Sequence, residues 1–431
     1  MSGNEGKEVA IGRYADWGDD GIRPRRSDGL GNAFACLIPT LMFVEVNLGG
    51  RLFLSEILLA CMLPILLFIR GYKLSDPLPR RVVLLGMLWL AALVVTDEIR
   101  GTPFEDWSRG WAKIIFLLVD FSSIYLFLNG KEQRYFMFAL GIAFGQLLGY
   151  FFNPNDFAHD FPWKFGYGTA VTMFVILAAS RWYSDERAGR LFSAAALLAM
   201  GGVNFYMGFR SLGLVCLLGG WLLMVRRSYH SGVNNAAIMA LLVGAAIIGA
   251  TAFYDYGASR SLFGEEEKAK YMLQSSGNMG VLLGARSEIL ASAQAVVDSP
   301  LIGHGSWAKD PKYAEIMADD LAHLGYEVWG VRDSDLIPSH SYLMGAWVEA
   351  GVAGAIFWCF GLLLIYRVLL GRYRVDSVLM PVIIFEAFDF LWSIPFSPFG
   401  AEARLYAAYD FSLMLFALSL TWNAAVNRGL K

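Results

Sequence analysis

His340 stands in Pro338-Ser339-His340-Ser341-Tyr342-Leu343, where a polar stretch gives way to an apolar one. A neutral imidazole at a water-accessible helix start can take a proton from a hydroxyl near neutral pH, although a lone histidine is more often structural. Glu349 is excluded as its partner, because nine residues of helix rotate by about 900° and rise about 13.5 Å, which puts that carboxylate on the opposite face. Two arginines could accompany the histidine. Arg210, in Gly208-Phe209-Arg210-Ser211, opens an apolar segment. A guanidinium there either grips phosphate oxygens through two parallel bonds or snorkels to lipid headgroups. Arg286 opens the stretch Ser287 to Val297, in which Ile289, Leu290, Ala293, Val296 and Val297 recur at helical spacing before Pro300. It shares a face with Ile289, Leu290, Ala293 and Val297, so it points into a helix bundle or snorkels from a membrane-surface helix.

His304, flanked by Gly303 and Gly305, could bind a ligand or mark a tight turn. Arg109, Lys113 and Arg404 are accessory candidates at helix ends. Glu45, Glu56, Asp120, Glu349, Glu386, Asp389 and Asp410 lie in or near apolar segments, where a carboxylate is either an internal pairing partner or part of a polar pathway. The five histidines show no ligand-type spacing and no cysteine joins them, so no metal site is expected; a nucleotide-cradling glycine loop is also missing.

The elements that position these residues are set by the solvent they face. The chain of 431 residues is 56% hydrophobic, 15% aromatic and only 17% charged, whereas water-soluble domains run nearer a quarter charged. A bilayer core of about 30 Å needs roughly 20 mostly apolar residues per helix. On that criterion about twelve spans are expected, near 32–49, 52–69, 82–97, 111–128, 135–152, 165–180, 191–206, 211–225, 235–254, 341–366, 377–393 and 405–422. The expected fold is therefore an all-α integral membrane protein. It divides into a polar tail (1–30), spans one to nine (31–254), a long loop (255–338), and spans ten to twelve with a short C-terminal tail (339–431).

Most of the 35 basic residues fall in alternate short connections and the two tails, which places those segments and both termini in the cytoplasm. The same alternation puts the long loop outside, between spans nine and ten. It carries Tyr271, Leu282, Ile302, Trp307, Tyr313, Tyr326 and Trp329 among other apolar residues, too many for a solvated linker, so it is expected to fold against the mouth of the bundle. Cys36, Cys61, Cys216 and Cys359 all sit in apolar runs and read as buried small hydrophobes. The N-terminal tail has no short apolar core or cleavage site, so the first span is expected to act as an uncleaved signal.

Taken in order, Gly284-Ala285-Arg286-Ser287, Ser299-Pro300-Leu301-Ile302-Gly303-His304-Gly305, Ser339-His340-Ser341-Tyr342-Leu343 and Glu349-Ala350-Gly351-Val352-Ala353-Gly354 resemble the bacterial O-antigen ligase and polysaccharide polymerase superfamily. Arg210-Ser211 fits the same pattern, with a serine rather than the commoner asparagine after the histidine. The resemblance implies a GT-C-like membrane glycosyltransferase of the bacterial inner membrane, with its active site facing the periplasm. Its donor would be an undecaprenyl-pyrophosphate-linked oligosaccharide and its acceptor a glycan or lipid A-core. Neither cofactor, metal nor nucleic acid would take part, and a chain-length regulator or export protein would be a natural partner. His340 would be the general base, with Arg210 and Arg286 on the pyrophosphate.

The loop holds 13 acidic residues against 7 basic ones, which disfavours a phosphorylated core acceptor and leans the reading towards a polymerase rather than a ligase. A transporter or flippase of lipid-linked glycans shares the span count, but such folds usually show two related halves, and no second copy of the loop or of the arginine-bearing helix ends is present.

Overall fold

The computed structural model describes residues 28–47, 49–184, 186–225, 256–257, 259–260, 268, 288–323, 328, 333–371 and 377–429. The expected span at 235–254 and Arg286 lie outside the described residues. Fifteen helices are named here in chain order. The first nine are α1 (Gly29–Thr40), α2 (Leu54–Arg70), α3 (Pro77–Arg100), α4 (Phe104–Leu128), α5 (Glu132–Phe152), the short α6 (Asp156–Asp160), α7 (Gly168–Ser180), α8 (Arg187–Tyr206) and α9 (Arg210–Val225). After the long connection come α10 (Glu288–Asp298), α11 (Pro311–His323), α12 (Tyr342–Ala350), α13 (Val352–Leu370), α14 (Met380–Phe396) and α15 (Ala403–Gly429).

Among the described residues six helices are long and apolar enough to cross a membrane: α2 with the turn that follows it to Ser75, α3, α4, α5, α8 and α13. Gly29–Phe43 and Arg210–Val225 are shorter apolar helices. The protein is an all-α membrane-embedded bundle. Local signals set the boundaries. Pro77 opens α3, where its missing N–H would have had no partner, and Gly101 closes it at φ 63. Glu105 and Asp106 occupy the first turn of α4, against the positive end of its dipole, and Asn129 closes it at φ 52.

Two expected spans take a different form. Instead of running to residue 49, α1 stops at Thr40 and leads through a single turn into a hairpin of Glu45–Asn47 paired with Arg51–Phe53. Gly49, at φ 72, supplies the turn residue. A helix through Glu45, Asn47 and two glycines would carry a charge and two weak helix formers into lipid; the hairpin keeps them at the end of the bundle.

The second departure is at 341–366, which is two antiparallel helices rather than one. The Tyr342 ring lies 4.9 Å from that of Trp358, whereas sixteen residues of continuous helix would separate them by about 24 Å. A β-carbon on Gly354 would strike the Ala346 carbonyl, which gives the same pairing one turn further along. The reversal occurs at Gly351, whose φ of 64 and ψ of −156 lie where side-chain-bearing residues are strained. Helix α13 is long enough to span alone, and α12 is a half-helix folded back along it.

The described residues between 288 and 337 gather at the end of the bundle where α3 finishes and α4 begins, called the loop end here. A small second core joins Ala291, Ala295 and Val296 of α10 with Tyr313 of α11, Ile337, and Val348 of α12. The buried face of α10 is thus Ala291, Ser292, Ala295 and Val296. The expected apolar face is rotated: Leu290 and Val297 are exposed, because small alanines allow close packing on α11 and α12 while the larger side chains turn away.

Candidate functional site

Helices α9 and α14 pack antiparallel. A β-carbon at Gly219 would lie 3.7 Å from Ile384 Cγ2, so counting nine residues towards the loop end along each helix brings Arg210 level with Ser393. The next residue of α14 after Ser393 is held by the segment that carries His340: Ser341 Oγ donates to the Ile394 carbonyl at 3.0 Å. The same hydroxyl caps α12 by accepting from the Met344 N–H at 3.1 Å. Arg210 and His340, 130 positions apart in sequence, are therefore both carried towards the loop end of α14. His340 is exposed and Arg210 half-buried.

The floor of this site is aromatic and acidic. Tyr342 is buried against Trp358 and Phe399. Asp389 and Glu386 follow Ser393 down α14 at helical spacing, and Asp410 of α15 hydrogen-bonds Glu386, with Glu386 and Asp410 buried. Among the described residues no three His, Cys, Asp or Glu side chains are placed to share a metal ion.

A clamp fixes α12 relative to the membrane helices. The Thr96 hydroxyl of α3 donates to the Ile302 carbonyl at 2.6 Å, and the Arg100 guanidinium donates to the Gly303 carbonyl at 2.8 Å and to Ser299 Oγ at 2.9 Å. Asp97 accepts from the Ser306 N–H at 2.6 Å, the Ser306 hydroxyl at 2.7 Å and the Trp111 indole at 2.7 Å. On the far side, the N–H groups of His304 and Gly305 donate to the carbonyls of Val348 and Glu349, at 2.7 and 3.0 Å. Those carbonyls end α12 and would otherwise lack partners. Gly303 and Gly305 have φ of 88 and 93, and a β-carbon on Gly303 would come within 2.7 Å of the Glu349 carbonyl oxygen. The Gly-His-Gly motif is thus a close backbone approach, and His304 Nε2 lies 2.8 Å from the Ala295 carbonyl.

The accessory cations are placed unevenly. Arg404 is buried and donates to both oxygens of Glu56, at 2.6 and 2.7 Å, and to the Arg51 carbonyl at 2.8 Å. Lys113 pairs with Glu349 at 2.6 Å, tying α4 to the end of α12. Arg109 is exposed, with Nε 3.5 Å from the Gly49 carbonyl of the hairpin turn. On the surface of the loop, Lys312, Tyr313 and Gln294 all donate to Asp298 and hold its carboxyl down at about 2, from an ordinary 3.8; burial and the same carboxylate push the Tyr313 phenol up.

Thr96, Asp97 and Arg100 were not singled out by the sequence. Their signal is a cluster of polar residues at the last turn of an apolar helix, where a membrane end needs none. No protein-family model, no curated protein and no solved structure matches the chain.

Proposed function

We propose that this protein is an inverting glycosyltransferase of bacterial surface polysaccharide assembly. It would transfer a glycan from undecaprenyl pyrophosphate to an acceptor hydroxyl at the periplasmic face of the inner membrane. The loop end is then the periplasmic end, both termini are cytoplasmic and the chain crosses about twelve times. What supports this reading is that Arg210 and the segment carrying His340, far apart in sequence, both lie towards the loop end of α14, with His340 exposed to water.

In the reaction, the His340 imidazole takes the acceptor hydroxyl proton as the oxygen bonds to the anomeric carbon. The anomeric C–O bond to the pyrophosphate breaks, with inversion, and undecaprenyl pyrophosphate leaves with the bonding pair. Arg210, joined by Arg286 from the loop, stabilises the charge growing on the leaving oxygens. The clamp of Thr96, Asp97 and Arg100 keeps α12, and so His340, in place. The acidic balance of the loop favours a growing glycan over a phosphorylated core as acceptor, hence polymerisation over ligation.

Purified protein given lipid-linked repeat units alone tests this. The expected product is a lengthened glycan that forms equally in EDTA, and His340→Ala lowers the rate about 10²- to 10⁴-fold. Lengthening only after lipid A-core is added would replace the polymerase by a ligase. Full glycan assembly by His340→Ala at normal protein level would instead point to a transporter.

A further inference from the structure

The lipid-facing surfaces of two helices run without a break onto the loop. On α13 the exposed positions Val352, Ile356, Cys359, Leu363 and Tyr366 form one apolar stripe at helical spacing. On α3 the corresponding stripe is Leu84, Leu88, Val95 and Ile99, each about half exposed or more. Between the loop-end tips of these stripes sits the turn Pro300–Ile302. Its Ile302 carbonyl is held by Thr96 of α3, and its Leu301 carbonyl lies so close to Gly351 that a β-carbon there would collide with it.

The side chains of this turn face outwards. Leu301 is 73% exposed, Val297 on the preceding turn of α10 is 71% exposed, and Ile302 is 44% exposed. Trp347 borders them and donates its indole N–H to the Pro300 carbonyl at 2.9 Å, the amphipathic disposition of a tryptophan at a membrane interface. Two of the nearest charges are engaged by protein, Arg100 by Ser299 and Gly303, and Asp298 by Lys312 and Tyr313, while Glu98 stands exposed at the loop-end tip of the α3 stripe, where a leaflet gives way to water. A water-facing loop has no reason to aim its largest aliphatic residues into solvent while burying alanines.

We propose that Val297, Leu301 and Ile302 insert into the leaflet at the loop end, so that the loop is anchored by lipid acyl chains as well as by protein. Continuity with two lipid-facing stripes selects lipid as the occupant over a second protein. The anchor sets the depth of the clamp at Gly303–Ser306 and hence of α12 and His340. The proposal rests on the membrane embedding of the bundle and is independent of glycosyl transfer.

The test is a nitroxide at Leu301→Cys, with Val297→Cys as a second site and Glu315→Cys on the exposed face of α11 as the water-facing control. The labels go on the full chain carrying Cys61→Ala and Cys359→Ala, reconstituted in phosphatidylethanolamine and phosphatidylglycerol vesicles. The sample without an introduced cysteine is subtracted. Labels at Leu301 and Val297 are expected to collide severalfold more often with oxygen than with a water-soluble nickel chelate, with the order reversed at Glu315. Nickel accessibility at Leu301 and Val297 equal to that at Glu315 overturns the proposal. So does a label reached by neither reagent, which would mean a protein partner or a second copy covers the turn.

Discussion

Arg404 and Arg210 each stand at the loop end of an apolar helix, and the bundle surrounds them differently. Arg404 is enclosed: Glu56 takes two of its hydrogen bonds, the Arg51 carbonyl takes a third, and the Phe116 ring lies 5.3 Å from its guanidinium carbon. Arg210 is half-buried, on a helix packed against α14. The difference is made by the neighbours. At Arg404 the β-hairpin and the start of α2 deliver a carboxylate and a carbonyl, so the cation becomes a tie between α2 and α15. At Arg210 the neighbouring element is the end of α14, whose carboxyls begin a turn further in. Arg404, held by Glu56 and the Arg51 carbonyl, is thereby fixed as a link between two helices and the hairpin.

The contrast can be broken at several points. Glu56→Ala leaves the Arg404 guanidinium buried without its carboxylate and is expected to cost about 3–5 kcal/mol, read as lost thermal stability in detergent or lost protein in the membrane. A variant of unchanged stability would mean that Arg404 is not a tie. Arg210→Ala should do the reverse: a loss of about 10²–10³-fold in transfer rate, about 2.7–4 kcal/mol of transition-state stabilisation, with the melting temperature little changed. Should its melting temperature fall as far as that of Glu56→Ala, the two arginines would be alike after all.

A third variant probes how the site is held. Asp97→Ala strands the Ser306 N–H and the Trp111 indole and should cost about 1–3 kcal/mol, with the first protection lost from hydrogen exchange in residues 299–306. Uniform loss across the bundle would deny the clamp a local role.

The smallest effect concerns the loop alone. Asp298 is held at about 2 when folded against an ordinary 3.8, a depressed value, so its contribution is present above about pH 4 and is lost as pH falls through 2. Asp298→Asn should flatten the acid sensitivity of α10–α11 packing in that window, measured by hydrogen exchange in those two helices. An unaltered acid profile would remove Asp298 from the account.

Apolar runs carry most of the helix pattern in plain view, because a bilayer demands long uncharged segments and the chain has little choice of where to put them. Each expected span among the described residues overlaps a helix, and α10 forms where its spacing says. The reversal at Gly351 escapes such reading. Gly351 sits in an unbroken run of small and apolar residues, and a glycine in a helix differs from a glycine in a turn only through the packing that makes a left-handed φ worthwhile. The facing of α10 escapes for a related reason: hydrophobicity nominates Leu290 and Val297, but close approach to α11 and α12 favours alanine, and the lipid can take the larger side chains.

The amino-acid sequence by itself determined that this is a membrane protein, where most of its helices run, and which histidine and arginines lie at their ends. Those properties follow from composition and local spacing, which need no knowledge of neighbours. That Arg404 becomes a tie, and that Gly303, His304 and Gly305 close the end of α12, was decided only in three dimensions. Hydrogen-bond partners such as Glu56, Asp97 and the Val348 carbonyl come from segments far apart in the chain, and only the packed bundle brings them within reach.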